Sequence, residues 1–152
     1  MKKYSQTKAL KIAGIELRTS NTEAFQTIPP FWGKFYGENT IEKISNKVSK
    51  DVYAVYTNFE NEGVDNTGVY SLIIGCEVSD IDASDSLKSV VVAPQERIVF
   101  EVEAGHPEKV GEKWIEIWQR NDLNSTIVAD YELYKETGKI EIHIGTKKSG
   151  DS

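Results

Sequence analysis

Two short patterns recur, in the same order, in the two halves of this 152-residue chain, and a repeat constrains a fold more than any single segment does. The first is aromatic. PPFWGKFYGEN sets Trp32, Phe35 and Tyr36 at i, i+3 and i+4, and GEKWIEIWQRN sets Trp114, Ile117 and Trp118 at the same spacing. That spacing puts three bulky groups on one face of a helix. The second is a strand bounded by glycines: GVYSLIIG at 68–75 and GKIEIHIG at 138–145.

Each half also opens on an extended stretch, ALKIAGIELRTSN at 9–21 and KSVVVAPQERIVFEVEAG at 88–105. The shared plan is strand, helix, strand, strand, twice over, which makes an α+β protein. The hairpins are DVYAVYTNFE with VYSLIIGCEV, joined by the loop ENEGVDNTG, and TIVADYELY with KIEIHIGTK, joined by KETG. The first helix should be capped by Asn21 or Thr22, and the second should start at His106 with Pro107 in its first turn. Pro29–Pro30 predicts a kink or restart in the first helix. The acidic, polar SDIDASDS at 79–86 reads as the connection between halves. The expected organisation is one domain over about 7–148, with halves at about 7–80 and 86–148 and tails at 1–6 and 149–152. Two strand pairs are each marginal alone, so the halves should pack together. Helices on one side of each half, with the halves related by a local two-fold, leave a central cleft, and such clefts are default ligand sites.

Composition excludes several functions. A net charge of −6 with dispersed basic residues does not suit direct nucleic-acid binding, which needs clustered Lys and Arg. No apolar run reaches the length of a membrane span, and MKKYSQTKALKIAG lacks the apolar core of a signal peptide. The single cysteine, Cys76, allows no internal disulfide and no cysteine-based zinc cluster, and it reads as a small buried hydrophobe. The economical compartment is the cytoplasm. No cofactor or metal is expected: His106 and His143 lack metal-ligand spacing and read as solvated surface residues. Loop 60–68 reads as an ordinary hairpin loop, with a cover over one entrance of the cleft as its second reading.

The segment DYELY at 130–134 places Glu132 among aromatic and apolar residues. Side chains alternate along a strand, so Tyr131 and Leu133 share one face while Asp130, Glu132 and Tyr134 share the other. If KETG is a four-residue loop, Tyr134 pairs with Lys139, Leu133 with Ile140 and Glu132 with Glu141. That register puts Tyr131 and Leu133 with the Ile140–Ile142–Ile144 row beneath the helix, and Glu132 on the helix-free face. A wet outer face explains such a glutamate. A carboxylate lining a cleft explains it too, and better accounts for two like charges set opposite each other. Periodicity leaves both readings open.

The order GIELRTSN (14–21), IPPFWGKF (28–35), VYAVYTNFE (52–60), GVYSLIIGCEV (68–78), KWIEIW (113–118), DYELY (130–134) and IEIHIG (140–145) resembles the GyrI-like effector-binding domain. That domain is the small-molecule module of AraC- and MerR-type multidrug-responsive transcription regulators and of stand-alone proteins. The resemblance covers nearly the whole chain. It implies a duplicated βαββ fold (an SH2-like motif pair) with pseudo-two-fold symmetry, antiparallel sheets and a central cleft. In better-studied members an acidic residue of the penultimate strand meets lipophilic cations among aromatic rings, and Glu132 matches that position. The resemblance offers as cleft walls Phe31, Trp32 and Tyr36 from the first helix, Tyr53 and Tyr56 from the next strand, Tyr70 and Phe100 from later strands, and Trp114 and Trp118 from the second helix. The implied partner is a lipophilic cationic small molecule. No helix-turn-helix segment flanks the domain, so regulation would need a protein partner.

Two alternatives accompany this reading. Glu132 could act as general base in a hydrolase of strained electrophilic natural products, although the chain lacks a Gly-x-Ser-x-Gly elbow. The domain could also be a gyrase-inhibitor-like interaction module. A binding protein fits the residues better than an enzyme does.

Overall fold

The computed structural model of this chain describes residues 2–81 and 87–147. Eight strands pair antiparallel in one sheet: β1 (Lys2–Ser5), β2 (Leu10–Ser20), β3 (Val52–Thr57), β4 (Val69–Glu77), β5 (Lys88–Val92), β6 (Glu96–Val102), β7 (Asp130–Tyr134) and β8 (Ile140–Thr146). Their order is β1-β6-β8-β7-β3-β4-β2-β5. Three helices accompany them, α1 (Ala24–Gly37), α2 (Thr40–Lys43) and α3 (Val110–Trp118), the last entered through a 3-10 turn at Pro107–Lys109. Among the described residues no helix is long and apolar enough to cross a membrane.

The expected series of strand, helix, strand and strand occurs as β2-α1-β3-β4 and again as β6-α3-β7-β8. Pairing of β3 with β7 joins the two series into one continuous antiparallel sheet. Residues 2–5, expected as a tail, form edge strand β1 on β6. The stretch 88–105, expected as one extended segment, is two strands broken at Ala93–Pro94–Gln95, where Pro94 has no N–H to offer a ladder. Residues 82–86 of the expected connection, and the tail 149–152, lie outside the described residues.

Helix α1 departs from expectation at its cap and runs through both prolines. Glu23, not Asn21 or Thr22, is its N-cap residue, and it makes no side-chain cap bond. Asn21 instead accepts a hydrogen bond from the Tyr70 hydroxyl at 3.0 Å. Pro29 and Pro30 lie within one helix and do not restart it. Their missing N–H groups would have bonded the carbonyls of Phe25 and Gln26, which belong to exposed residues where water can substitute. Cys76 is fully buried, as expected.

Both faces of the sheet are covered. On one face Phe31 and Phe35 of α1 pack over Val52, Ala54, Leu72 and Ile74, and Val110 and Ile117 of α3 pack over Phe100, Ile140, Ile142 and Ile144. The opposite face was expected to be either wet or the wall of a cleft, yet Ile12, Tyr53, Val55, Ile73, Val92, Tyr131 and Leu133 form a second core there. Chain connectivity explains this. Strands β5 and β6 stand six places apart in the order, about 29 Å in a flat sheet, but the three residues 93–95 that join them let their ends lie at most about 15 Å apart. The sheet therefore curls until its edges approach, and the concave side closes over its own side chains. Gln6, beyond β1, bridges the edges by donating to the Val92 carbonyl at 3.1 Å.

Candidate functional site

Glu132 sits in the middle of β7, and its direction is set by the turn that follows. Lys135 donates to the Lys139 carbonyl and Gly138 to that of Lys135, both at 2.9 Å, so the loop proper is Glu136–Thr137–Gly138, with Gly138 at φ +97. A three-residue loop ending in a left-handed glycine is a standard hairpin solution. It pairs Tyr134 with Ile140, Glu132 with Ile142 and Tyr131 with His143. The register expected from a four-residue loop is thus wrong by one residue, and a slip of one exchanges the faces. Glu132 shares the isoleucine row and the helix side. Tyr131 and Leu133, with Glu141 and His143, take the opposite face, and Glu132 is not paired with Glu141. The cleft accordingly lies on the helix side, between α1 and α3, not on the helix-free face.

The carboxylate is 2% exposed. Its Oε2 accepts from the Tyr56 hydroxyl and from Trp114 Nε1, each at 2.6 Å, and its Oε1 accepts from the Tyr134 hydroxyl at 2.5 Å. Burial pushes its pKa up, and the bonds from Tyr134, Tyr56 and Trp114 oppose that shift. Burial beside this carboxylate drives both phenols well above their ordinary value, so they stay protonated and remain donors.

Above Glu132 lies a cavity of about 650 Å³, within the size range of small-molecule sites. Of the aromatic residues expected at its walls, Trp32, Tyr56, Tyr70, Trp114 and Trp118 line it, as does Glu132. Tyr56 packs on Trp114 with centroids 5.4 Å apart, and Trp32 meets Tyr134 edge-to-face at 5.1 Å. Four residues do not line it. Phe31 turns into the core under α1. Tyr36 stacks on the far side of Trp32 at 6.0 Å and is half-exposed. Tyr53, an odd number of positions from Tyr56 along β3, faces the concave core and contacts Tyr131. Phe100 lies beneath α3 opposite Ile142.

Several lining residues were missed. Tyr134 was readable, because it stands two residues from Glu132 on the same face. Phe59 packs on Tyr70 at 5.7 Å, and Val64, Asp65 and Asn66 reach the cavity from the loop at 60–68. That loop is held in place by a bond from Gly63 N–H to the Ile127 carbonyl at 3.1 Å, so the second reading, a cover at one entrance, describes it. Asp130, paired with Tyr56 across β3 and β7, also lines the cavity. Burial raises its pKa to about 6, against the bond from Gly145 N–H and the charge of Arg97. Asp65, Asp130 and Glu132 therefore face Arg120 as the charged lining, and Arg120 is paired with Asp122 at 2.7 Å. The cavity is apolar with an acidic bias. The expected surface histidines divide: His106 is half-exposed beside Glu103 and Glu108, whereas His143 is buried.

With this geometry in view, comparisons with known proteins give a consistent picture. The fold is shared by an integron cassette protein from the mobile metagenome of Vibrio cholerae, 24% identical, with a TM-score of 0.77 over 96% of this chain and 95% of that one. It is shared by SAV2435 bound to tetraphenylphosphonium, 20% identical, with a TM-score of 0.77 over 96% and 93% of the two chains. A candidate transcription regulation protein of Staphylococcus aureus MU50 is 19% identical, with a TM-score of 0.74 over 97% and 99%. No curated protein matches the chain at a significant level. A family model described as integron-associated effector binding protein matches residues 5–146, in keeping with the effector-binding resemblance read from the sequence. The chain belongs to the family of integron-associated effector binding proteins.

Proposed function

We propose that this chain binds lipophilic cations in the cleft between α1 and α3, with Glu132 as the counter-charge, and so acts as a sensor of such compounds. The observation that carries this reading is a buried carboxylate, 2% exposed, at the floor of an aromatic cavity and held by three donors that are all neutral. Folding has already removed this group from water, a cost of several kcal/mol that neutral donors only partly offset. A cation arriving in the cavity supplies the missing positive charge.

The donors also indicate which kind of cation fits. An ionised carboxylate has about four acceptor sites, and three are occupied. A ligand that must donate several hydrogen bonds gains little here, whereas an onium ion with diffuse charge needs only proximity and apolar surroundings. Rings above the carboxylate add cation–π attraction, roughly 0.5–2 kcal/mol per contact, and apolar burial at about 25 cal/mol per Å². SAV2435, which shares the fold, was obtained with such an ion, and that supports the reading.

All three tryptophans of the chain line the cavity, so intrinsic fluorescence reports its occupancy. Titration with tetraphenylphosphonium should give a saturable change with a Kd in the micromolar range, about −8 kcal/mol. A linear, unsaturable response would count against the proposal.

A further inference from the structure

A second cavity, of about 500 Å³, opens on the opposite face of the sheet. Its charge is reversed. Lys2, Lys8, Lys135 and Lys139 stand around it, against the carboxylates of Glu77 and Glu141. Lys139 leans on Glu141 at 3.4 Å and Glu101 at 3.7 Å, while Lys2, Lys8 and Lys135 form no direct ion pair among the described residues. In a chain of net charge −6, such a concentration of ammonium groups over one hollow calls for a physical reason.

Beneath the hollow is a second one. Arg97 is 1% exposed and lies 4.8 Å from the centroid of the Tyr131 ring that lines the cavity. Its Nε donates to Gln6 Oε1 at 2.6 Å and its Nη1 to the Ala129 carbonyl at 2.9 Å, but Nη2 is buried without a partner. No carboxylate stands within ion-pair distance of it among the described residues. Asp130 is coupled to Arg97 only through space, a buried cation with no carboxylate in direct contact is costly, and its field reaches His143 in the cavity lining. The hydroxyls of Tyr4, Tyr53 and Tyr131, which also line the hollow, have no acceptor among the described residues. Donors and positive charge are thus in excess.

The acceptors present are specific. His143, 6% exposed, lines the same cavity, and its Nε2 stands 3.1 Å from Glu141 Oε1. With Nε2–H donated to that carboxylate, Nδ1 is left as a lone pair with no donor. A ligand that matches this lining carries an anionic group for the lysines and phenols and hydroxyls for Glu77 and Glu141. We propose that the second cavity is a binding site for a small hydroxylated anion of the sugar-phosphate or hydroxy-acid type. Tyr131 and Glu132 are consecutive in β7 and face opposite ways, so one strand separates a site for anions from a site for cations.

The chain has two histidines, which makes the test direct. The intact protein is titrated at constant ionic strength with glucose 6-phosphate and, separately, citrate, while the ring resonances of His143 and of His106, which does not line the cavity, are followed. The proposal expects a saturable His143 shift with one or both anions, no matching shift of His106, and no response to glucose. Which anion acts separates the two ligand types. The Lys8→Glu/Lys135→Glu double variant, altered only outside the core, should weaken the response at least tenfold, whereas Lys34→Glu/Lys43→Glu should not. No His143 shift with either anion, parallel shifts of both histidines, or equal responses from the two double variants would overturn the proposal.

Discussion

Replacing Glu132 by glutamine removes a charge and very little else. The Gln carbonyl oxygen can accept from Tyr56 and Trp114 as Oε2 does now. The amide can donate to the Tyr134 hydroxyl, which at present donates to Oε1 and can rotate to accept. The cleft should keep its shape. An onium centre about 5 Å from the carboxylate gains about 3 kcal/mol at an effective dielectric constant near 20. Part of that is spent on keeping the carboxylate ionised, since burial already pulls it toward the neutral form. The net loss on substitution is therefore about 1.5–3 kcal/mol, or roughly tenfold to a hundredfold in Kd. The unliganded variant should also be more stable than the parent, because a desolvated charge has gone. Calorimetric titration with tetraphenylphosphonium and with neutral triphenylphosphine oxide measures both arms. Equal weakening of both ligands, or undiminished affinity for the cation, would refute the electrostatic reasoning.

Two further predictions concern the strand that carries the site and the turn that follows it. Gly138 at φ +97 sets the hairpin register, so Gly138→Ala should lower stability by about 1–2 kcal/mol, with Gly138→Asn costing less. Urea denaturation measures this, and a neutral alanine variant would show that the turn does not depend on glycine. The pKa of Asp130 is about 6 in the folded chain against 3.8 for the free side chain, so its contribution to stability is fully present below about pH 4 and is lost as pH rises through about 6. That loss amounts to about 3 kcal/mol. Asp130→Asn, which keeps the acceptor for Gly145 N–H, should match the parent near pH 3.5 and exceed it by up to about 3 kcal/mol near pH 8. Equal stabilities in both conditions would contradict the assigned shift.

How much of this was legible in the sequence differs from element to element. The order of strands and helices was readable, because glycine-bounded alternation and the Trp-centred helical spacing are local signals. Register was not. One extra residue in a turn inverts every side chain of β7, and only the left-handed conformation of Gly138 decides between loops of three and four residues. The buried second face was equally hidden. It comes from the curl that brings β5 back toward β6, a consequence of connectivity and not of any segment's composition. Glu141 and His143 therefore looked like solvent-facing residues and are buried. Glu132 was singled out through resemblance, and periodicity assigned it the wrong face. Tyr53 could have been separated from Tyr56 by alternation alone, whereas the inward turn of Phe31 and the cavity-lining position of Trp32 depend on how α1 lies across the sheet.

Charge selectivity at constant shape probes the cleft most directly. Tetraphenylphosphonium and tetraphenylborate present nearly the same four-ring surface with opposite charge. If Glu132 is the counter-charge of an otherwise apolar cavity, the intact protein binds the phosphonium at least a hundredfold more tightly than the borate, and Glu132→Gln narrows that ratio by tenfold or more. Comparable affinity of the unaltered protein for both ions would mean that the cavity reads shape alone, and that the buried carboxylate has no part in recognition.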